Sequence, residues 1–107
     1  MKKLNAKEKQ VLDLIPKDDR RLPISEITKL TGIAKRDLYD IIERLRSYGV
    51  PIVASRNSHR YGYYIASNKA ELNEGIVPYK RQAQKMNMTI NFLEKADTKN
   101  WQEGIKK

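Results

Sequence analysis

Cysteine is absent from the 107 residues, and histidine occurs once, as His59. The first absence excludes disulfides and thiolate metal sites, and the second excludes a multi-histidine zinc centre. No apolar run approaches the ~20 residues that a membrane-spanning helix needs. The opening MKKLNAKEK is basic but lacks an apolar stretch, so it does not read as a signal peptide. There is no G-x-x-x-x-G-K phosphate loop and no glycine-rich dinucleotide fingerprint. Carboxylates occur mainly in mixtures with basic residues on helix surfaces. These absences argue against catalysis, a metal or a cofactor. A reducing compartment is compatible with the missing thiols, and the expectation is a cytoplasmic protein.

What the chain has in excess is positive charge. Lys and Arg outnumber Asp and Glu by 22 to 13, a net charge of +9. Residues 1–66 hold 14 of the basic and 8 of the acidic residues, so they carry +6 of that charge. Such an excess favours polyanionic partners such as nucleic acid or anionic lipid. At this length the chain accommodates one small domain with an appendage, and its core is modest.

Helical spacing places Leu4, Val11, Leu12 and Ile15 on one side of a first helix from about Asn5 to Ile15. Asn5 caps it, with Glu8 three residues later to reach back. Leu22-Pro23-Ile24 reads as a short extended piece able to add a small strand to a later hairpin. Ser25 is expected to cap a second helix whose Ile27 and Leu30 point inward, ended by Thr31-Gly32. Ile33 fills the turn. A third helix runs from about Lys35 to Tyr48, with Leu38, Ile41, Ile42 and Leu45 as its apolar face, and Gly49 stops it. Pro51 to Ser55 and Gly62 to Ala66 are β-rich and flank a polar, turn-like Arg56 to Tyr61, which makes a hairpin. Tyr63 and Ile65 are expected to cover the helices, with Tyr64 facing out.

This order, three helices and then a hairpin, predicts an α+β, mainly helical winged helix-turn-helix over residues 1–67. Within it, Ile24 to Ala66 resembles the biotin-repressor and DeoR-like (HTH type 11) family. The residues that carry the likeness are ISEITKLTGIAKRDLYDIIERLRSYG, then PIVAS, then GYYIA. Gly32-Ile33-Ala34 matches the family's turn before the recognition helix. Gly49-Val50-Pro51-Ile52 matches its helix end, and Gly62, Tyr63 and Ile65 match its hairpin return. A weaker likeness is to small phage and mobile-element proteins with such a domain and a C-terminal helix. No ligase or sugar-sensing domain follows, so those activities do not transfer.

The resemblance implies double-stranded DNA as partner, with the N-terminal part of the third helix in the major groove. Its polar positions are Lys35, Arg36, Asp37, Tyr39, Asp40, Glu43 and Arg44. Lys35 or Arg36 would bond guanine O6 and N7, and Asp37 or Asp40 would accept from cytosine N4. The alternative is a solvated helix face with pairs such as Asp40–Arg44. The wing, Arg56-Asn57-Ser58-His59-Arg60, suits phosphate or minor-groove contact, or is a solvated tip. Ser25 and Thr31 bracket the second helix and are candidate phosphate contacts, against a purely capping role.

Asn68 is expected to cap a further element over residues 68–96. Leu72, Ile76, Tyr79, Ala83, Met86, Ile90 and Leu93 recur there at alternating spacings of four and three, a heptad seam. Pro78 should kink or break this helix. The seam predicts a homodimer through the C-terminal helix, the alternative being that it packs on its own domain. Residues 97–107 form a tail with little pattern. The leading expectation is a small dimeric, sequence-specific DNA-binding regulator of transcription. Its rivals are a protein-interaction module docking a host or replication protein, and an architectural or replication-origin DNA-binding protein.

Overall fold

The computed structural model describes residues 3–57 and 60–105. The elements in chain order are α1 (Ala6–Leu14), α2 (Ile24–Thr31), α3 (Lys35–Ser47), β1 (Ile52–Asn57), β2 (Arg60–Ile65), α4 (Lys69–Glu94) and a 3-10 turn, η1 (Trp101–Gly104). The chain divides into two compact units, residues 1–76 and 77–107, with α4 running from one into the other.

In the first unit α1 starts on a full capping box. The Asn5 side chain accepts from the Glu8 N–H at 2.8 Å, and the Glu8 carboxylate accepts from the Asn5 N–H at 3.0 Å. The spacing of Val11 on α1 with Ile15 at its C-cap, Ile27 on α2, and Leu38, Ile41, Ile42, Leu45 on α3 turns one side of each helix inward. With Ile33 and Ile52 these residues form a single core, and Leu4, Leu12, Leu22, Ile24, Tyr48, Val50, Tyr63 and Ile65 pack around it. Each fully buried aliphatic side chain there contributes about 1.5–3 kcal/mol.

α2 ends where Gly32 takes the left-handed conformation at φ 73°, its N–H donating to the Thr28 carbonyl at 2.8 Å. α3 closes on a Schellman motif. Gly49 (φ 99°) donates to Arg46 O at 2.9 Å, and Val50 donates to Leu45 O at 3.1 Å.

β1 and β2 form an antiparallel pair in the register Val53↔Tyr64, Ser55↔Gly62, Asn57↔Arg60. Leu22 adds a one-residue bridge to Tyr63, with N–H to O distances of 3.0 and 2.8 Å in the two directions. The Ile65 N–H donates to Pro16 O at 2.8 Å on the same side. Gly62 permits this approach. A Cβ at this residue (φ 128°) would lie 2.6 Å from Leu22 C and Pro23 N.

Four expectations are corrected. Ser25 does not cap α2: the helix begins at Ile24 with Pro23 at the cap position, and Ser25 is exposed in the first turn. The Pro23 ring fixes an extended entry that already positions the helix start. Leu30 is 59% exposed rather than inward, and Ile27 is the buried residue of α2. The hairpin strands reach Asn57 and Arg60, so most of the expected wing tip is paired strand.

The fourth correction concerns Tyr64, which is buried at 5% exposure. The hairpin face that carries Val53 and Tyr64 is covered too. Gly75 on α4 sits so close to Val53 that an added Cβ would meet its side chain at 2.4 Å. The Arg21 guanidinium lies 3.6 Å over the Tyr64 ring. Both faces of this short sheet are therefore covered at its base, while Arg56, Arg60 and Tyr61 toward the tip are exposed.

α4 begins as expected on Asn68, whose side chain accepts from the Glu71 N–H at 2.9 Å. The Glu71 carboxylate accepts in turn from the Ser67 N–H and hydroxyl, both at 2.7 Å. The helix runs without a break through Pro78 to Glu94. In the second unit every residue from Tyr79 to Glu94 is exposed, as is Trp101. No helix of the described residues is long and apolar enough to cross a membrane.

Candidate nucleic-acid interface

The turn that sets α3 against α2 is built from three residues, Gly32-Ile33-Ala34, and one hydroxyl. Thr31 Oγ1 donates to the Ile27 carbonyl at 2.7 Å and accepts from the Ile33 N–H at 3.1 Å. Ile33 is thereby drawn into the core, and α3 restarts at Lys35 with a new direction. Thr31 thus acts inside the turn, as a local backbone clamp.

On α3 the buried residues Leu38, Ile41, Ile42 and Leu45 define the inner stripe. Lys35, Arg36, Asp37, Tyr39 and Asp40 are all exposed on the first half of the helix. Tyr39 keeps 51% of its surface in solvent. Asp37 stands in the first turn, where a carboxylate is favoured by the helix dipole, so its sign has a structural reason independent of any ligand. Neither α2 nor α3 has a side-chain N-cap, so no side chain caps the N–H groups of their first turns.

The other end of α3 is tied down. Glu8, only 3% exposed, receives the Arg44 guanidinium at 3.0 Å and the Tyr48 hydroxyl at 3.1 Å. The hydrogen bond from the Asn5 N–H, reinforced by that from Arg44, holds the Glu8 carboxyl below the usual carboxylate range. Arg46 donates to the Ile52 carbonyl at 2.9 Å and faces Glu43 at 3.7 Å. Arg44, expected on the outer face beside Asp40, is thus half exposed and paired with α1. Sequence spacing could not reveal this, since 36 residues separate the partners.

Arg56 and Arg60 are exposed on the two strands of the wing. Ser58, His59 and the side chain of Asn57 lie outside the described residues. Arg60 donates to the Asp19 carbonyl, which joins the wing to the α1–α2 connection. Beside that bond is an open notch of about 510 Å³ lined by Asp19, Arg20, Arg21, Pro23, Arg60 and Tyr61. Arg20 is paired with Asp18 at 3.1 Å, which lowers the Asp18 carboxyl below its ordinary range. Arg21 donates to the carbonyls of Asp18, Asp19 and Arg20, at 3.0 to 3.4 Å, and so folds the connection around itself. The place of Arg20 and Arg21 beside the wing depends on the Leu22–Tyr63 bridge. Burial pushes the Tyr64 phenol beneath Arg21 above its ordinary range.

Two helices at a three-residue turn, a third packed across them and a hairpin wing define this unit as a winged helix-turn-helix, followed by a helical extension. A 60-residue stretch, 54% of the chain, is 35% identical to the HTH-type transcriptional regulator FL11 of Pyrococcus furiosus. The matched stretch spans 39% of that relative's length. No family model and no solved structure matches the chain.

Proposed function

We propose that the protein binds double-stranded DNA through its winged helix-turn-helix and regulates transcription. The observation that carries this reading is the outer face of α3, where Lys35, Arg36, Asp37, Tyr39 and Asp40 stand exposed behind a fully buried inner stripe. The likeness to a transcriptional regulator supports it. So does the net charge of +9.

In this reading the first half of α3 enters the major groove. Lys35 or Arg36 takes guanine O6 and N7, and Asp37 or Asp40 reads cytosine N4. Arg56 and Arg60 of the wing meet backbone phosphate, and the uncapped N–H groups at the start of α2 hold another. Arg44 contributes by fixing α3 rather than by touching a base. The finer assignment is to the biotin-repressor and DeoR-like group, with no catalytic activity. Two copies joined through the exposed seam of α4 would present two recognition helices to one site and multiply their affinities.

The test is fluorescence anisotropy of a labelled duplex across a salt series, with genomic fragments as competitors. Displacement by one fragment above all others, with a steep salt slope, is the expected result. In that case Arg36→Ala costs about 1–3 kcal/mol on the preferred site and relaxes its specificity. Equal displacement by every fragment would indicate an architectural protein instead. No binding at low salt would overturn DNA recognition and leave a protein-docking module.

A further inference from the structure

We infer that the second copy docks along α4 in the antiparallel direction, with Tyr79 against the partner's Ile90 and Ala83 against the partner's Met86. This rests on the self-association part of the reading above and not on DNA binding.

The face concerned is exposed along its length. Met86, Ile90 and Leu93 are 58, 49 and 70% exposed, and Tyr79 is 45% exposed. Between them lies Ala83, the one small seam residue in this stretch. A second copy is the occupant because the face complements itself in one direction only. In a parallel pair each residue meets its own copy. Ala83 would face Ala83, leaving a gap between layers, and Tyr79 would face Tyr79.

The antiparallel pair instead sets the small Ala83 opposite the long, adaptable Met86, twice by symmetry. It also sets Tyr79 opposite Ile90, twice. Size alternation of this kind fills a seam without strain.

The flanking positions agree. The residues that follow Tyr79, Met86 and Leu93 are Lys80, Asn87 and Glu94. Those that precede Ala83 and Ile90 are Gln82 and Thr89. In the antiparallel register like flanks face each other. Lys80 of each chain then approaches Glu94 of the other, Asn87 approaches its own copy, and Gln82 approaches Thr89. The Lys80 and Glu94 backbones are offset by roughly 7–8 Å along the axis, a gap that side chains leaning toward their own N-termini close. In the parallel register the same flanks pair Gln82 with Asn87 and Thr89 with Glu94, and no opposite charges meet. Both ion pairs therefore exist in one orientation and neither in the other.

The absence of cysteine makes the orientation directly measurable, since each variant carries a single thiol. Tyr79→Cys and Ile90→Cys are made separately in the full chain, both at exposed seam positions. Light scattering first gives the mass of the wild type and of each variant. The variants are then oxidised alone and as an equimolar mixture. The expected result is a dimer by mass, little cross-linking of either variant alone, and a disulfide-linked heterodimer in the mixture. In the antiparallel register the two copies of residue 79 lie roughly 16 Å apart along the axis, beyond disulfide reach. Cross-linking of each variant alone, with none specific to the mixture, would overturn the antiparallel orientation while leaving a dimer. A monomer at all concentrations would overturn self-association itself. Lys80→Glu should weaken the dimer roughly tenfold, and adding Glu94→Lys should restore it. An unchanged dimer in Lys80→Glu would also count against the register.

Discussion

Replacing Gly75 by alanine would ordinarily stabilise a helix, and in this protein it should do the reverse. Within a helix interior the change gains about 0.8–1 kcal/mol of propensity. The added Cβ, however, would lie 2.4 Å from Val53 Cγ1 and 2.6 Å from Val53 Cβ, against ordinary contacts of 3.4–4 Å. The surroundings would have to open by about 1 Å. Val53 cannot easily yield: it is 4% exposed, branched at Cβ, and held by its strand opposite Tyr64. Overpacking of this kind costs about 1–3 kcal/mol.

The net expectation is a loss of about 1 kcal/mol, which lowers the melting temperature of a domain this size by roughly 4–8 °C. Circular dichroism during thermal and urea unfolding measures it. Asn73→Ala, two residues away and exposed, supplies the propensity gain without the clash and should be neutral or slightly stabilising. The penalty should shrink in a Val53→Ala background, where the nearest atom is gone. If Gly75→Ala raises the melting temperature as much as Asn73→Ala does, the close packing of α4 on β1 is refuted.

Three further outcomes follow from the same geometry. Gly62→Ala should cost more than about 2 kcal/mol in urea unfolding, because the new Cβ meets immovable Leu22 and Pro23 backbone at a positive φ. Thr31→Val should cost about 1 kcal/mol by removing both hydrogen bonds of the turn hydroxyl, whereas Ser25→Ala should change stability by no more than ~0.5 kcal/mol. Glu8 has a depressed folded-state pKa, so the native state binds fewer protons than the unfolded one. Its contribution is present above the ordinary value of 4.5 and is lost as pH falls through the lower folded value. Melting temperatures between pH 7 and 3 should therefore fall less steeply in Glu8→Gln than in the wild type, and parallel curves would refute the linkage.

Features that depend on neighbours in sequence were legible from the sequence, and those that depend on distant partners were not. The Asn5–Glu8 box, the Gly32 and Gly49 stops, the α3 stripe and the Asn68 cap each rest on residues within one or two helical turns. Tyr64 was misread because alternation along a strand tells inside from outside only when one face is wet. Here α4 and Arg21 cover the second face. Gly75 was the available signal, a residue poorly suited to a helix that makes sense where backbone must approach a side chain. For the candidate interface, exposure of Lys35, Arg36, Asp37, Tyr39 and Asp40 around the buried Leu38 followed directly from the apolar period. The anchoring of Arg44 by Glu8 did not, because it depends on how α1 crosses α3.

The strand of backbone from Pro16 to Leu22 has a consequence for how the molecule meets its own kind. A two-stranded ribbon normally offers unpaired N–H and C=O groups along both flanks, an open template for any extended chain. Here the Tyr63 N–H and C=O are consumed by Leu22, and the Ile65 N–H by Pro16. The base of β2 is thus closed to strand addition by the protein's own connection. Its remaining open length is short and lies toward Tyr61 and Arg60, where a guanidinium already reaches across to Asp19. On that flank a second copy's wing cannot add a strand at the base without first displacing the protein's own connection.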